Sequence, residues 1–299
     1  MLDGYEARSL GGPTLVRRIA APASPRAAVL HVHGYNDYFF QTHLADTFAR
    51  AGLAFYAVDM SRAGRSLQPD DIPHYMSNVR EPGDDISLAA DAVARELPGV
   101  PLVVHAHSTG ALTAAVWAAD RPAPALAGIV LDGPLCGRRE HGIKRWGRVI
   151  LPVLGRVAPR WVVSTKPSVY ARNLHVSGGG RWEFDTELKR PVGVPARAAW
   201  AFAVQNAQLR IARGKLSIGV PVLVARSAQS GPESDDNPLL DTQDIVVDVE
   251  ATARLTPLFG PHVTALVIEG GIHELSLSRP AAREEYLAAV TAWLDTVLP

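Results

Sequence analysis

A serine at the end of an apolar run is the first residue of this sequence that could do chemistry. Ser108 lies in VPLVVHAHSTGAL (residues 100–112), with Ala106 two places before it and Gly110 two places after it. This spacing matches the G-x-S-x-G turn in which a strand presents a nucleophilic serine at the start of a helix, with alanine in place of the first glycine. A serine that only caps a helix gives a similar pattern. The assignment therefore depends on partners elsewhere in the chain.

A histidine that could act as a general base lies near the C-terminal end. His273 lies in GGIHE (270–274), a glycine-containing loop between an apolar run and the last predicted helix. The sequence predicts packed positions inside strands for His31 and His105, and a supporting role at the turn for His107. Five other histidines are expected at the surface, in helices or in a cap: His43, His74, His141, His175 and His262.

The acid that would orient this histidine is expected in the acidic stretch after an apolar run at 219–227. Asp244 is the first candidate and Asp241 the second. Three more aspartates remain as alternatives: Asp235, Asp236 and Asp248. Serine, aspartate and histidine then follow one another in the chain order of one class of Ser-His-Asp hydrolases, which differs from the chymotrypsin and subtilisin orders.

Backbone donors for an oxyanion are expected at two of these turns. His33-Gly34-Tyr35 follows the apolar run 27–33, and the glycine lets the backbone come close to a substrate. The sequence predicts that the N–H groups of Tyr35 and Thr109 stabilise the oxyanion. A turn glycine after a core strand is the simpler interpretation of the first motif taken alone.

Alternating elements predict the sheet that would position these residues. Short apolar runs at 27–33, 53–59, 101–107 and 126–132 are typical of strands buried on both faces of a parallel sheet. Predicted helices at roughly 40–51, 84–96 and 109–120 separate them, and a short hairpin precedes them. The pattern predicts an α/β fold with a mostly parallel, doubly wound sheet, whose sites lie at the carboxyl ends of the strands.

The alternation stops after Asp132 and resumes near residue 218. Residues 134–217 contain two predicted helices, near 139–155 and 195–213. Strands at 219–227 and 263–269 follow, with helices at 247–258 and 280–297. The prediction is a core formed by residues 1–133 and 218–299, with residues 134–217 inserted as a mainly helical cap.

Charge is unevenly distributed in this chain of 299 residues and zero formal net charge. Residues 134–217 hold 16 Lys/Arg and 4 Asp/Glu, whereas the rest holds 14 and 26. The single cysteine, Cys136, is compatible with a reducing cytoplasm, and no stretch of 18 apolar residues predicts a membrane span. Neither an HExxH motif nor paired Cys/His spacing is present, so no metal or organic cofactor is expected.

Four segments resemble the monoacylglycerol lipase/lysophospholipase branch of the α/β-hydrolases, which is also grouped with serine aminopeptidases: HVHGYND, AVDMSRAGRS, HAHSTGAL and EGGIHEL. The resemblance covers most of the chain outside residues 134–217, and its D-x-x-x-x-G-x-S stretch (Asp59 to Ser66) is fairly specific. It implies the α/β-hydrolase fold with an inserted cap. It also implies an acid about 30 residues before the histidine, which favours Asp244, 29 residues before His273.

The expected function is a serine hydrolase that cleaves carboxylic esters, with lipid-like substrates of the monoacylglycerol or lysophospholipid type. Alternatives are an aminopeptidase or amidase, a C–C hydrolase or acyltransferase with the same triad, and a non-catalytic binding protein of the same fold. Residues 138–163 interleave basic with aromatic and aliphatic residues, which suggests contact with an anionic membrane. The simpler interpretation is that these arginines face solvent or pair with the acidic core. No nucleic-acid recognition motif accompanies them.

Overall fold

The computed structural model describes residues 2–137 and 146–298. Its ten strands are β1 (Tyr5–Ser9), β2 (Thr14–Arg18), β3 (Ala27–Val32), β4 (Leu53–Asp59), β5 (Leu102–His107), β6 (Leu126–Asp132), β7 (Val162–Ser164), β8 (Ala196–Arg197), β9 (Val222–Ser227) and β10 (Val263–Ile268). Its α-helices are α1 (Thr42–Arg50), α2 (Arg80–Glu96), α3 (Ser108–Asp120), α4 (Trp146–Val157), α5 (Val169–Leu174), α6 (Ala198–Ala212), α7 (Val249–Leu255) and α8 (Pro280–Val297).

Eight strands form one sheet in the order β1-β2-β4-β3-β5-β6-β9-β10. The β1–β2 and β2–β4 pairs are antiparallel, and the five pairs from β4 to β10 are parallel. Every residue of β3, β4 and β5 is buried, which explains why these strands are continuous apolar runs rather than alternating ones. The predicted doubly wound α/β sheet is confirmed.

Helices cover both faces of this sheet and enclose two apolar cores. One core contains α2 and α3 residues such as Ile86, Leu112 and Trp117, and the other contains α1 and α8 residues such as Phe48 and Tyr286. Helix α3 is buried along its whole first part, so it behaves as a core element rather than an amphipathic surface helix. None of the helices within the described ranges has the length and apolarity that a bilayer crossing requires.

The predicted bounds agree with the observed elements to within a few residues, with three differences. Helix α2 begins four residues earlier than predicted, at Arg80, and the β7–β8 pair and α5 were not predicted at all. These short elements lack the periodicity by which sequence patterns are recognised. The helix predicted near 139–155 corresponds to α4, although its first part, residues 139–145, lies outside the described residues.

Residues 134–217, called the inserted segment below, leave the sheet after β6 and return to it at β9. These two strands pair directly, with Ile129 opposite Val222. Helices α4 and α6 of the segment pack together, and α6 also packs on α3. The segment is therefore added to the sheet without interrupting it.

Ion pairs connect the inserted segment to the acidic core. Five of its basic residues pair with core carboxylates: Lys166 with Glu233, Arg172 with Asp235, Arg181 with Asp241, Lys189 with Asp37, and Arg210 with Asp120. For these five residues the structure supports the simpler interpretation, that the basic side chains pair with carboxylates of the acidic core. Arg138, Arg139, Lys144 and Arg145 lie outside the described residues.

Candidate active site

Ser108 lies on a strained turn between β5 and α3. Its φ angle is 53°, in the left-handed region that residues other than glycine rarely adopt. A Cβ atom at Gly110 would collide with the backbone carbonyl of His33, so glycine lets α3 start close to β3. Ala106 is fully buried between Val32 and Leu131, its partners on the neighbouring strands. The turn therefore accepts alanine at the first small position of the motif.

The structure brings Ser108, His273 and Asp244 into one hydrogen-bonded chain. Ser108 Oγ is 2.8 Å from His273 Nε2, and His273 Nδ1 is 2.9 Å from Asp244 Oδ2. Because the carboxylate can only accept, Nδ1–H donates to Asp244 and leaves Nε2 free to accept from the serine. This arrangement can move a proton from the serine hydroxyl to the imidazole.

Asp244 is held rigidly by its own loop. Its Oδ1 accepts from the backbone N–H groups of Val246 and Val247, each at 2.8 Å, so Oδ2 is directed at His273. The four alternative aspartates lie elsewhere. Asp241 pairs with Arg181 and Arg279, Asp235 pairs with Arg172, Asp236 is exposed, and Asp248 caps α7.

The loop after β3 approaches Ser108 at the position expected for an oxyanion site. A Cβ atom on Gly34 would lie 3.1 Å from both His107 Cδ2 and Ser108 Cβ, a spacing that few side chains tolerate. Tyr35 and Thr109 both line a cavity of about 220 Å³ next to this approach. The two predicted oxyanion residues thus line the same cavity, which Gly34 also lines.

The histidines near the sheet divide as the sequence predicts. His31 Nδ1 lies 2.9 Å from His105 Nδ1 inside the core, and His107 Nδ1 lies 3.1 Å from the Asp132 carbonyl oxygen. Burial lowers the pKa of His105 to about 4. Burial, assisted by nearby His273, holds the pKa of His107 well below its usual range. These rings are neutral structural groups at pH 7.

The position of His74 differs from the expected one, which was at the surface, in a helix or in a cap. It lines the cavity with Tyr35, their ring centroids lie 5.0 Å apart, and burial lowers the pKa of His74 to about 3. The sequence carries no signal for this contact, because the loop that holds His74 has no periodic pattern. His141 lies outside the described residues.

Residues of the inserted segment cover the site. The backbone N–H of Glu274 donates to Tyr170 Oη at 3.1 Å, and the Tyr170 ring lies edge-on to His273 with centroids 5.6 Å apart. The Trp200 ring lies 4.4 Å from the ring of Tyr35. Ser108 and His273 are only 7% and 3% exposed.

A buried cluster of charged groups lies beside the triad and was not anticipated from the sequence. Ligand atoms of Asp37, His107 and Glu274 lie within 4.8 Å of one another, a spacing that could hold a metal ion. The ammonium of Lys189 already supplies positive charge there, with Nζ 2.8 Å from Asp37 Oδ1 and 3.8 Å from Glu274 Oε2. Gln41 donates to the other oxygen of Glu274 at 2.7 Å. These donor atoms therefore fit the ammonium of Lys189 better than a metal ion.

A family model matches most of the chain. The family model described as serine aminopeptidase, S33 matches residues 23–229, about two thirds of the chain. The match includes Ser108 and ends before Asp244 and His273.

Two curated relatives match parts of the chain. A monoacylglycerol lipase of Mycolicibacterium smegmatis is 29% identical over 152 residues, which are 50% of this chain and 52% of the relative. The uncharacterized protein YnbC of Escherichia coli is 34% identical over 114 residues, 38% of this chain and 19% of that protein. The chain thus spans about half the length of the first relative and about a fifth of the second.

Solved structures resemble the whole chain. A soluble variant of the Saccharomyces cerevisiae monoglyceride lipase, in complex with a substrate analogue, has a TM-score of 0.76 at 16% identity and covers 100% of this chain and 96% of its own. The monoacylglycerol lipase of Paleococcus ferrophilus has a TM-score of 0.70 at 20% identity, with 97% and 99% coverage. At these identities the likeness concerns the α/β-hydrolase fold.

Proposed function

The chain belongs to the serine aminopeptidase, S33, family of α/β-hydrolases, and from that premise we propose that it is a serine hydrolase that cleaves carboxylic esters. The observation that carries the proposal is the unbroken hydrogen-bonded chain from Ser108 through His273 to Asp244. Ser108 is the nucleophile, His273 the general base and Asp244 the acid that orients the imidazole.

The reaction proceeds through an acyl-enzyme. His273 Nε2 takes the proton of Ser108 as Oγ attacks the ester carbonyl, and the N–H groups of Tyr35 and Thr109 stabilise the oxyanion. The imidazolium returns that proton to the departing alcohol as the C–O bond breaks. A water molecule then attacks the acyl-enzyme, with His273 again taking the proton, and the imidazolium returns it to Ser108 Oγ as the acyl C–O bond breaks and the carboxylic acid is released.

Lipid-like esters of the monoacylglycerol or lysophospholipid type are the substrate class we propose. The relative from M. smegmatis carries the name monoacylglycerol lipase, which supports this class. The inserted segment, residues 134–217, acts in this proposal as a cap that shapes the substrate site, because its residues Tyr170 and Trp200 contact His273 and Tyr35.

A fluorophosphonate probe tests the nucleophile directly. We expect the wild-type protein to be labelled stoichiometrically and Ser108→Ala to remain unlabelled, because the probe phosphonylates only an activated serine. Intact-mass spectrometry measures the adduct. Labelling that persists in Ser108→Ala, or its absence from the folded wild-type protein, contradicts the proposal. A panel of p-nitrophenyl esters, monoacylglycerols and aminoacyl amides then separates ester from amide specificity.

Peripheral contact of a cytoplasmic protein with an anionic membrane is a further part of the proposal. Three residues on α4 are 47–72% exposed, namely Ile150, Val153 and Val157, and Trp161 after the helix is 64% exposed. An exposed apolar helix face with basic residues nearby is typical of segments that lie on an anionic lipid surface.

Liposome sedimentation tests this contact. The protein is expected to sediment more with anionic than with neutral vesicles, and Val153→Glu/Val157→Glu is expected to lose most of that binding, because it places two carboxylates on the apolar face. Val192→Glu is a matched control, since Val192 is 76% exposed but lies outside α4. Equal binding to both lipid types rules out the electrostatic contact.

A further inference from the structure

One lysine of the inserted segment bridges the two loops that carry site residues. Asp37 lies two residues after Tyr35, and Glu274 directly follows His273. Lys189 Nζ contacts both carboxylates, at 2.8 Å and 3.8 Å. A single ammonium therefore connects the loop of the proposed oxyanion donor to the loop of the proposed base.

The side chain of Lys189 is buried among carboxylates and aromatic rings. Its side chain is 3% exposed, and Nζ lies 5.0 Å and 5.6 Å from the ring centroids of Phe40 and Phe184. The next residue, Arg190, exchanges two backbone hydrogen bonds of 2.9 Å with the side chain of Asn36. Lysine is rarely buried without partners, and breaking a buried pair is strongly destabilising. These contacts hold the inserted segment to the loop after β3.

The ammonium also balances negative charge next to the triad. Burial and the neighbouring Asp37 raise the pKa of Glu274, whereas Lys189 opposes that rise. Glu274 Oε2 lies 3.8 Å from His107 Nε2, and the His107 ring is 4.8 Å from the His273 ring. Removal of the ammonium would leave His273 in a more negative field, which favours its protonated form.

Several other groups face this cluster and act on the same field. Titratable and charged groups in electrostatic contact within this cluster include His31, Asp37, His107, Asp132, Tyr170, Lys189, Asp244, His273, Glu274 and Tyr286. Among these described groups, Lys189 alone brings an ammonium, which pairs with Asp37 and Glu274. When Lys189 is substituted, no other described group of the cluster can therefore replace its ammonium.

We propose that Lys189 is a positioning residue, which holds the Tyr35 and His273 loops in register with Ser108 and places a positive charge against Asp37 and Glu274 beside His273. The inference rests on the proposed function and adds to it a way in which the seating of the inserted segment is coupled to catalytic competence. When the segment is seated, Lys189 completes the site. When it is displaced, both loops lose their common counter-ion.

The pH dependence of kcat/KM tests the inference with two variants, which are expected to shift the acidic limb of the profile in opposite directions. Lys189→Met is expected to lower kcat/KM about 100-fold, because the loops shift. It should also move the acidic limb of the profile up by about one pH unit, because the imidazolium is favoured. Asp37→Asn removes a negative charge and keeps the acceptor oxygen, so the acidic limb should move to lower pH. A p-nitrophenyl ester with stopped-time assays from acid to neutral pH gives both profiles.

Lys166→Met is the matched control. Lys166 also joins the segment to the core, through Glu233 at 2.8 Å, but its side chain is 60% exposed and lies outside the cluster. Its pH profile should coincide with that of the wild type.

Unchanged acidic limbs in Lys189→Met and Asp37→Asn overturn the inference, even where stability falls, because a purely structural role of Lys189 would leave the pH profile unchanged. If Lys189→Met fails to fold, Asp37→Asn decides alone. Wild-type protein without fluorophosphonate labelling overturns the proposed function instead.

Discussion

Asp244→Asn is expected to lower kcat for ester hydrolysis about 10⁴-fold in a protein that remains folded. The carboxylate accepts from His273 Nδ1–H and so fixes the tautomer whose Nε2 faces Ser108. An amide in its place can donate to Nδ1 and stabilise the opposite tautomer, which cannot accept the serine proton. The amide oxygen can still accept from Val246 and Val247, so the loop keeps its shape. Steady-state kinetics with a p-nitrophenyl ester, with circular dichroism for folding, measures the effect.

Asp241→Asn is the control for this prediction. Asp241 lies in the same acidic loop, but its carboxylate pairs with Arg181 and Arg279 at 3.5 Å and 3.2 Å and does not contact His273. Its kcat should stay within about twofold of the wild type, because the substitution leaves the hydrogen bonds of Asp244 and Ser108 with His273 unchanged. A large loss in Asp241→Asn together with a small one in Asp244→Asn would reverse the assignment of the acid.

Gly133→Ala is expected to lower both stability and activity. Gly133 follows β6 with a φ of 51°, and an added Cβ would collide with the carbonyl oxygen of His273. The left-handed backbone and the overpacking together cost about 2–5 kcal/mol of unfolding free energy. Displacement of the His273 loop by about 1 Å should also lower kcat about 100-fold. Urea unfolding and steady-state kinetics measure the two effects separately.

Gly4→Ala separates the backbone cost from the collision. Gly4 has a φ of 79°, but no atom lies within 4 Å of the position its Cβ would take. Only the conformational penalty of about 1–2 kcal/mol applies there, and kcat should equal that of the wild type. A kcat for Gly133→Ala that matches the Gly4→Ala value would show that the His273 loop absorbs the extra methyl group without moving.

The sequence predicted those parts of the site that follow from strand ends. Ser108, Tyr35 and His273 each follow an apolar run within four residues, and the carboxyl ends of parallel strands meet at one edge of a sheet. The structure brings these residues together with Asp244. Their catalytic roles stay predictions, which the experiments above test.

The partners that surround the triad could not be predicted in this way. Lys189 and Asp37 are 152 residues apart in sequence, and Lys189 lies in a turn of the inserted segment that has no periodic pattern. A basic residue in a basic segment gives no signal of burial, because most such residues are solvated. The position of His74 in the cavity could not be predicted for the same reason. Contacts between irregular loops depend on tertiary packing, which the spacing of apolar residues does not encode.

The direct pairing of β6 with β9 has a consequence for how this architecture can vary. Since the segment leaves and re-enters at adjacent strands, a longer or shorter replacement changes the loop-closure free energy by about 0.6 kcal/mol for each doubling of length. The pairing of β6 with β9 does not depend on that length, so the larger cost of replacing the segment lies in its contacts with α3 and the core carboxylates. Lys189 sets the condition for that exchange: a grafted module must bring its own ammonium to Asp37 and Glu274, or both carboxylates must be replaced with it.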